Sequence, residues 1–565
     1  MLNRIQYGID FTDESWYVAE PYAVAELGAV PFVNNVTQSP GFTLPLALAF
    51  KLYVWFNGST VGIVFFSRII YLFFHLLVST LTVWIVNRYT SCKIPLLAIG
   101  ALVVVNHCHT LYDLNYDTLG FLYFPLIMAL VFAEYGDDTR RSFWWGFLAG
   151  LLSVRTVMGS PTVIFGLVVV FLDLCVSKKK KRILGIVSGA GAACVIVFGT
   201  VIAGWGIESL YEWFRMYFNQ SYFFIEGKAN EARTRNALIS FFKSAILPIC
   251  IVATSRVFLK KNPRVFEWVL RFVIAGGVIL GVARTVRSPA YYYEFQLMTM
   301  TWVLPYLYCC FANSKRLERR NILVICLAYL SIFFIATWIT ITGFPGHRAY
   351  WNYVPMLMAV CLLVNGDNWK ESASGIFLRS VLFVVGISAI SFYGVWNNYS
   401  YVYRDEPIPS LSTKVEDGIW KGLYTTEVRA NNVVTLEQFI KSVTKADENV
   451  MCLDWGSFGY LMINGKMCSP STLDIACYSY KVNSPCPYYL YFQAEKHVPD
   501  KIIYIDYGRD KHLSIDDNEW KFNELVKRYY HFASDFSNEI FVAKVYVLDD
   551  REGALRLVEE TIRQQ

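Results

Sequence analysis

Three carboxylates lie close together near the start of the chain. Asp10, Asp13 and Glu14 fall within five consecutive positions. A carboxylate that is partly withdrawn from water can take a proton from a hydroxyl group, because burial and like-charged neighbours raise its pKa from about 3.9. The cluster is therefore a candidate general base. The alternative is a solvated acidic turn in which Asp13 caps a helix that begins near Glu14.

A fourth carboxylate, Asp117, follows Asn115 and Tyr116 where the chain enters an apolar segment. A charged group at a membrane boundary is costly unless it faces a polar cavity, so Asp117 is a candidate for a functional site. Capping of the helix that starts at this point is the alternative.

Several cationic residues could bind a phosphate group. Arg155 lies shortly before a Gly-Ser-Pro turn, and Arg287 and the pair His347-Arg348 lie beside aromatic residues in short loops. Arginine matches phosphate oxygens with paired hydrogen bonds. Anchoring at the membrane interface by aromatic residues and snorkelling arginines is the alternative. The alternating His107-Cys108-His109 does not place ligands on one face, so we predict no metal site there and leave open whether a divalent metal assists.

Composition identifies the chain as a membrane protein. Its 565 residues are 55% hydrophobic and 17% charged, with a mean hydropathy of +0.37, which is too apolar for one soluble domain. The 51 basic and 45 acidic residues leave a net charge of +6. Because the basic residues bunch between apolar segments and form no continuous stripe, nucleic acid is not an expected partner.

Hydropathy predicts about twelve transmembrane helices. The clearest lie at 69–87, 183–204, 321–341 and 376–396. The basic run at 178–182 is expected on the cytoplasmic side. Alternation from there places 1–68 and everything after 396 outside the cell membrane.

Two polar regions flank the predicted spans. The first loop, 1–68, contains amphipathic stretches at 14–27 and 44–56, which are typical of helices in the membrane interface. Residues 398–565 form a second region, of polar and mixed composition, with strand patterns at 449–453, 502–505 and 540–547 and a helical pattern at 519–530. We therefore predict a transmembrane domain at 1–397 and an extracytoplasmic α/β domain at 398–565.

The order of motifs in the first loop resembles that of the GT-C glycosyltransferases, including the protein O-mannosyltransferases and the bacterial aminoarabinose transferases. Asp13-Glu14 is followed by Tyr17 and Gly28, and Gln38-Ser39-Pro40 stands where many members have Lys-Pro-Pro. The resemblance implies an inverting transfer of a sugar from a polyprenyl-phosphate donor to a hydroxyl on a glycan, lipid or protein acceptor. It implies Asp13 as the base, Asp10 and Glu14 as neighbours that tune it, and Asp117 as a second acidic residue. Arg155, Arg348, Arg287 and His347 would bind the donor phosphate.

Two other classes of function stay open. A transporter or flippase of lipid-linked glycans would also have many spans, but it should show paired repeats and broken helices, and the sequence shows neither. A non-catalytic assembly protein would need no acidic cluster. The sequence indicates neither the sugar nor the acceptor.

Overall fold

The computed structural model describes most of the two regions that flank the middle of the chain. It describes residues 2–31, 34, 43–89, 112–133, 139–159, 163–208, 402–454, 456–472, 487–507 and 521–564, with scattered residues between 210 and 399. Within these ranges the protein is mostly helical, with a sheet near its C-terminus. This confirms the coarse architecture that composition and periodicity predict.

Seven α-helices make up most of the described part of the first 205 residues. They are α1 (Asp13–Glu26), α2 (Thr43–Asn57), α3 (Ile63–Tyr89), α4 (Tyr116–Phe132), α5 (Thr139–Gly159), α6 (Val163–Val176) and α7 (Lys180–Trp205).

Two of these helices are long and apolar enough to cross a membrane. Among the described residues these are α3, with 27 residues, and α7, with 26, each with a mean hydropathy of 2.2 over its most apolar window. They contain the predicted spans 69–87 and 183–204. The predicted spans 321–341 and 376–396 lie almost wholly outside the described residues, so the number of about twelve stays a prediction.

The exposed surface of these helices is apolar. On α3, Tyr71, His75 and Val78 are buried, whereas Phe73 and Leu77 on the opposite face are more than half exposed. Only 17% of the apolar window of α7 is buried. Contiguous apolar surface of this kind is rare on soluble monomers and is typical of helices that face lipid.

Helices α5 and α7 pack through glycines. Gly146 and Gly150 of α5 lie against the backbone at Arg182 and Ile186, and the pairing runs in the same direction along both helices. In return, Gly185 and Gly189 of α7 lie against the backbone at Phe143 and Phe147. A Cβ atom at any of these glycines would collide with a carbonyl oxygen of the other helix. The two GxxxG motifs thus permit a close parallel contact that is common between membrane helices.

Basic residues gather at one end of this bundle. The Arg182 guanidinium donates hydrogen bonds to the carbonyl oxygens of Val131 and Ala133 at the end of α4. These groups lie at the negative end of the helix dipole, where a cation is stabilising. The ends of α4 and α6 and the starts of α5 and α7 therefore share one end of the bundle, which we call the basic end. The starts of α3 and α4 mark the opposite end.

The C-terminal region contains a mixed five-stranded sheet. Its elements are β1 (Thr413–Lys414), β2 (Tyr424–Thr425), α8 (Glu427–Val443), β3 (Asn449–Asp454), β4 (Lys466–Met467), α9 (Pro487–Glu495), β5 (Lys501–Asp506), α10 (Lys521–Tyr529), β6 (Tyr530–Ser537), β7 (Val542–Leu548) and α11 (Arg551–Arg563). The strand order is β4-β3-β5-β7-β6. The first three strands are parallel, and β7 and β6 are antiparallel additions. The three predicted strands correspond to β3, β5 and β7, and the predicted helix corresponds to α10.

The first loop and the C-terminal region share one hydrophobic core. The Phe11 ring lies 5.1 to 5.9 Å from the rings of four C-terminal aromatic residues, namely Trp420, Phe458, Tyr507 and Phe541. A side chain at Gly456 would overlap the backbone of Phe11. The Gly8 N–H also donates to the Tyr424 carbonyl, at 2.8 Å. The packing of the first loop therefore depends on residues after position 401.

Candidate active site

Asp10 holds the turn that precedes α1. Its Oδ1 accepts hydrogen bonds from the backbone N–H and the hydroxyl of Thr12, and its Oδ2 accepts one from the Glu14 N–H at 2.9 Å. Asp10 thereby satisfies backbone donors that the start of a helix leaves open. Burial, followed by the charge of Asp13, raises the pKa of Asp10 to about 7. Asp10 thus supplies the side-chain oxygens that bind the start of α1, where Thr12 is the N-cap residue.

Glu14 forms a buried ion pair with Arg68 of α3. Arg68 donates through Nε to Oε1 at 2.5 Å and through Nη2 to Oε2 at 2.7 Å. Its remaining N–H groups donate to the carbonyl oxygens of Ile5, Tyr7 and Gly8. Both carboxylate oxygens of Glu14 are therefore engaged, and the pair fixes the N-terminal residues against the start of α3.

Asp13 differs from its neighbours because it reaches solvent. Its side chain is 34% exposed, whereas Asp10 and Glu14 are at most 2% exposed. Its Oδ2 accepts a hydrogen bond from the Tyr403 hydroxyl at 2.5 Å and lies 3.7 Å from Nη2 of Arg404. Asp13 occupies the first position of α1, after the N-cap residue Thr12. The two contacting side chains come from the start of the C-terminal region, which the motifs of the first loop do not indicate.

A further carboxylate, Asp113, was missed by the sequence analysis. It is 1% exposed, its Oδ1 accepts a hydrogen bond from Asn115 at 2.8 Å, and its Oδ2 receives none from the described residues. Burial, followed by the charge of Glu14, raises the pKa of Asp113 well above its usual range, and Asp10 and Asp13 add to the shift. A buried, strongly perturbed carboxyl group of this kind is a candidate for function.

The sequence contained a signal for Asp113. Asn115 and Thr118 form a capping box, in which the Asn115 side chain accepts from the Thr118 N–H and the Thr118 hydroxyl accepts from the Asn115 N–H. An Asn-x-x-Thr pattern ahead of an apolar run marks a helix start. It places Asp113 before the helix and Asp117 inside the first turn of α4. The side chain of Asp117 lies outside the described residues.

Arg155 lies within α5, before the helix ends at Gly159. The helix continues past Arg155 because residues 153–158 contain no breaker, and it ends at Gly159, where the predicted Gly-Ser-Pro turn begins. Its charge acts on the phenol of Tyr123 in α4. Tyr123 lies near the middle of α4, and Arg155 lies in the last two turns of α5, away from the basic end of the bundle. Arg287, His347 and Arg348 lie outside the described residues, so their phosphate-binding role stays a prediction.

The described site is a set of four carboxylates with arginines around it. Arg68 and Arg404 pair with Glu14 and Asp13, and the buried Arg4 guanidinium lies over the Tyr112 ring, 5.1 Å from its centroid. Within the described ranges, no group of three or more His, Cys, Asp or Glu side chains is placed to hold a metal ion. The arrangement can bind and deprotonate a polar group at Asp13, while burial favours the protonated forms of Asp10 and Asp113.

No family model matches the chain, and no curated protein matches it.

Proposed function

We propose that the protein is a membrane glycosyltransferase that moves a sugar from a polyprenyl-phosphate donor to a hydroxyl acceptor on the extracytoplasmic face. Asp13 is the general base. The observation that carries this proposal is the difference in exposure within the acidic cluster. Of the four carboxylates of the candidate site, Asp13 is the one that a substrate can reach, because Asp10, Glu14 and Asp113 are each at most 2% exposed.

The position of the cluster supports a substrate that is partly lipid. We call residues 9–14 the acidic turn. It is bound through Arg68 to the first turns of α3, a helix that could cross a membrane. A carboxylate at such a boundary can meet a water-soluble acceptor and the phosphate of a lipid-linked donor together. The apolar faces of α3 and α7 would contact the bilayer that supplies the donor.

In the proposed reaction the acceptor hydroxyl attacks the anomeric carbon of the donor sugar. Its proton passes to the carboxylate of Asp13, the new glycosidic bond forms, and the bond between the anomeric carbon and the phosphate oxygen breaks. The polyprenyl phosphate leaves with both electrons of that bond. Arg155, Arg348, Arg287 and His347 are the proposed partners of the phosphate charge, because cations placed where charge develops stabilise the transition state. A single displacement inverts the anomeric centre.

The test compares two carboxylate variants on the same helix. Asp13→Asn removes the base and keeps the shape of the side chain, and transfer should fall by at least about a hundredfold. Glu26→Gln, at the exposed end of α1, is the matched control and should retain normal transfer. The donor is the lipid-linked sugar that accumulates in cells lacking the protein, and the product is followed by mass spectrometry of envelope glycans.

The same assay separates the alternatives. Normal turnover by Asp13→Asn would remove this residue from the reaction and shift attention to Asp113. Lipid-linked glycan that crosses the membrane without transfer of its sugar would instead indicate a flippase.

A further inference from the structure

Residues at the start of the C-terminal region form hydrogen bonds with several residues of the acidic turn. The Asp405 carboxylate accepts a hydrogen bond from the Ile9 N–H at 2.8 Å. Arg429 donates to the Ile9 carbonyl at 3.1 Å and lies 3.2 Å from Asp405. Next along the turn, Arg404 donates to the hydroxyl of Thr12. These bonds join Ile9 and Thr12 to Arg404, Asp405 and Arg429.

Two side chains from the C-terminal region also contact Asp13 itself. The Tyr403 hydroxyl donates to Oδ2 at 2.5 Å, and the Arg404 guanidinium lies beside the same oxygen while it stacks on the Tyr403 ring, 4.9 Å from the centroid. Arg404 has a left-handed backbone, with φ of 55°, which is unusual for a residue with a side chain. Strained conformations of this kind persist where surrounding contacts hold them, and they cluster at functional sites.

The two oxygens of Asp13 have different surroundings. Oδ2 faces Tyr403 and Arg404, whereas no described residue donates a hydrogen bond to Oδ1. A carboxylate held through one oxygen presents the other in a defined direction. Catalytic groups need such positioning, since a misplacement of about 1 Å can cost roughly a hundredfold in rate.

We propose that Tyr403 and Arg404 are positioning residues for Asp13, so that the C-terminal region completes the active site. The inference rests on the proposed function and deepens it. Tyr403 orients the carboxylate by its hydrogen bond, and Arg404 holds both the carboxylate and the Thr12 hydroxyl beside it. The α/β region therefore contributes to turnover directly, beyond any part it has in selecting the acceptor.

The experiment is a double-mutant cycle on the full-length protein with the accumulated lipid-linked sugar as donor. Tyr403→Phe should lower kcat by about 10-fold or more, the scale of one hydrogen bond to a charged group, and leave KM for the donor within about twofold. In the Asp13→Asn background the same change should cost less than about twofold, because the carboxylate that it positions is gone. Tyr424→Phe is the matched control, since this tyrosine lies in the same interface and stacks on Tyr7.

A second pair of variants tests the cation. Arg404→Gln should lower kcat in the same way, and Arg404→Lys should recover part of the loss because it keeps the charge. This pair carries the test if Tyr403→Phe fails to fold, as judged by thermal unfolding in detergent. Equal losses from Tyr403→Phe with and without Asp13 would overturn the positioning role. Normal turnover by Asp13→Asn alone would overturn the proposed function, so the two failures are distinguishable.

Discussion

Within the acidic turn, Asp10 and Glu14 hold the local structure, whereas Asp13 is the proposed general base. Glu14 and Arg68 illustrate this structural role, since the guanidinium uses each of its N–H directions on Glu14 or on a backbone carbonyl. A buried ion pair contributes little compared with apolar side chains of the same size. Removing one partner, however, leaves an unpaired charge in the interior.

We predict that Glu14→Gln strongly destabilises the protein. The uncompensated charge of Arg68 should cost about 3 to 5 kcal/mol, seen as a lower midpoint of thermal unfolding in detergent. The control is Glu524→Gln, which breaks an exposed pair with Arg528 on α10. That change should alter stability by at most about 0.5 kcal/mol. Comparable effects of the two substitutions would contradict the assignment of Glu14 to a structural pair.

Asp454 gives a prediction about pH. It is fully buried at the end of β3, its carboxylate accepts the N–H groups of Ser457 and Gly459, and burial raises its pKa to about 7. The folded protein therefore holds a proton at pH 5 to 6 that the unfolded chain has released. The stability that this proton provides is complete below about pH 4 and is lost as the pH rises through 7.

The measurement is the slope of unfolding free energy against pH. Between pH 5 and 6.5 Asp454 should contribute a fall of up to about 1.4 kcal/mol per pH unit. Asp454→Asn lowers stability at all pH values through its lost backbone contacts, but its profile should lack this contribution. Asp447→Asn, at an exposed turn, provides the control. Parallel profiles for the wild type and Asp454→Asn would show that Asp454 does not titrate in this range.

Sequence reasoning located the acidic turn but not its partners. Asp10, Asp13 and Glu14 are adjacent in the chain, so their types and spacing are visible. Tyr403 and Arg404 meet Asp13 only after folding, and a Tyr-Arg pair carries no local signal. Asp113 could have been found, because Asn115 and Thr118 mark the start of α4.

At the scale of elements, the contact between α5 and α7 depends on the absence of side chains. We predict that Gly150→Leu separates the two helices, because its Cβ would meet the carbonyl of Ile186. The midpoint of thermal unfolding in detergent should then fall relative to that of the parent. Gly191→Leu is the control, since nothing lies within 4 Å of a Cβ there. An equal fall in both variants would point to a general effect of a larger side chain.

The bounds of elements were predicted most accurately where apolar residues follow one another in the sequence. The buried strands β3 and β5 are almost continuous apolar runs and were found within one or two residues. Strand β6 was missed because it pairs only with β7 at the edge of the sheet and most of its residues are exposed. Its apolar residues Tyr530, Phe532 and Phe536 are too few to mark a strand, and the pairing with β7 is irregular between Phe532 and Ser534. The first residue, Tyr530, was assigned to the preceding helix.

The packing of the whole molecule predicts on which side of the membrane each region lies. Because the acidic turn and the C-terminal sheet share a core, we predict that both lie on one side of the membrane, opposite the basic end of the bundle. In intact cells an impermeant maleimide should label cysteines at Lys51 and Asp417, and should label one at Lys179 only after permeabilisation. Labelling of Lys51 and Asp417 from different sides would contradict the shared core.

The shared core also sets an order of events during biosynthesis. The bond between Arg429 and Ile9 joins residues 420 positions apart, and every helix of the bundle is made between them. At about 5 to 20 residues per second, the ribosome needs roughly 20 to 80 s to cover that distance. During this time the residues around Asp13 lack the partners that the C-terminal region supplies. The contacts around Asp13 therefore form only after the described helices of the bundle have been synthesised.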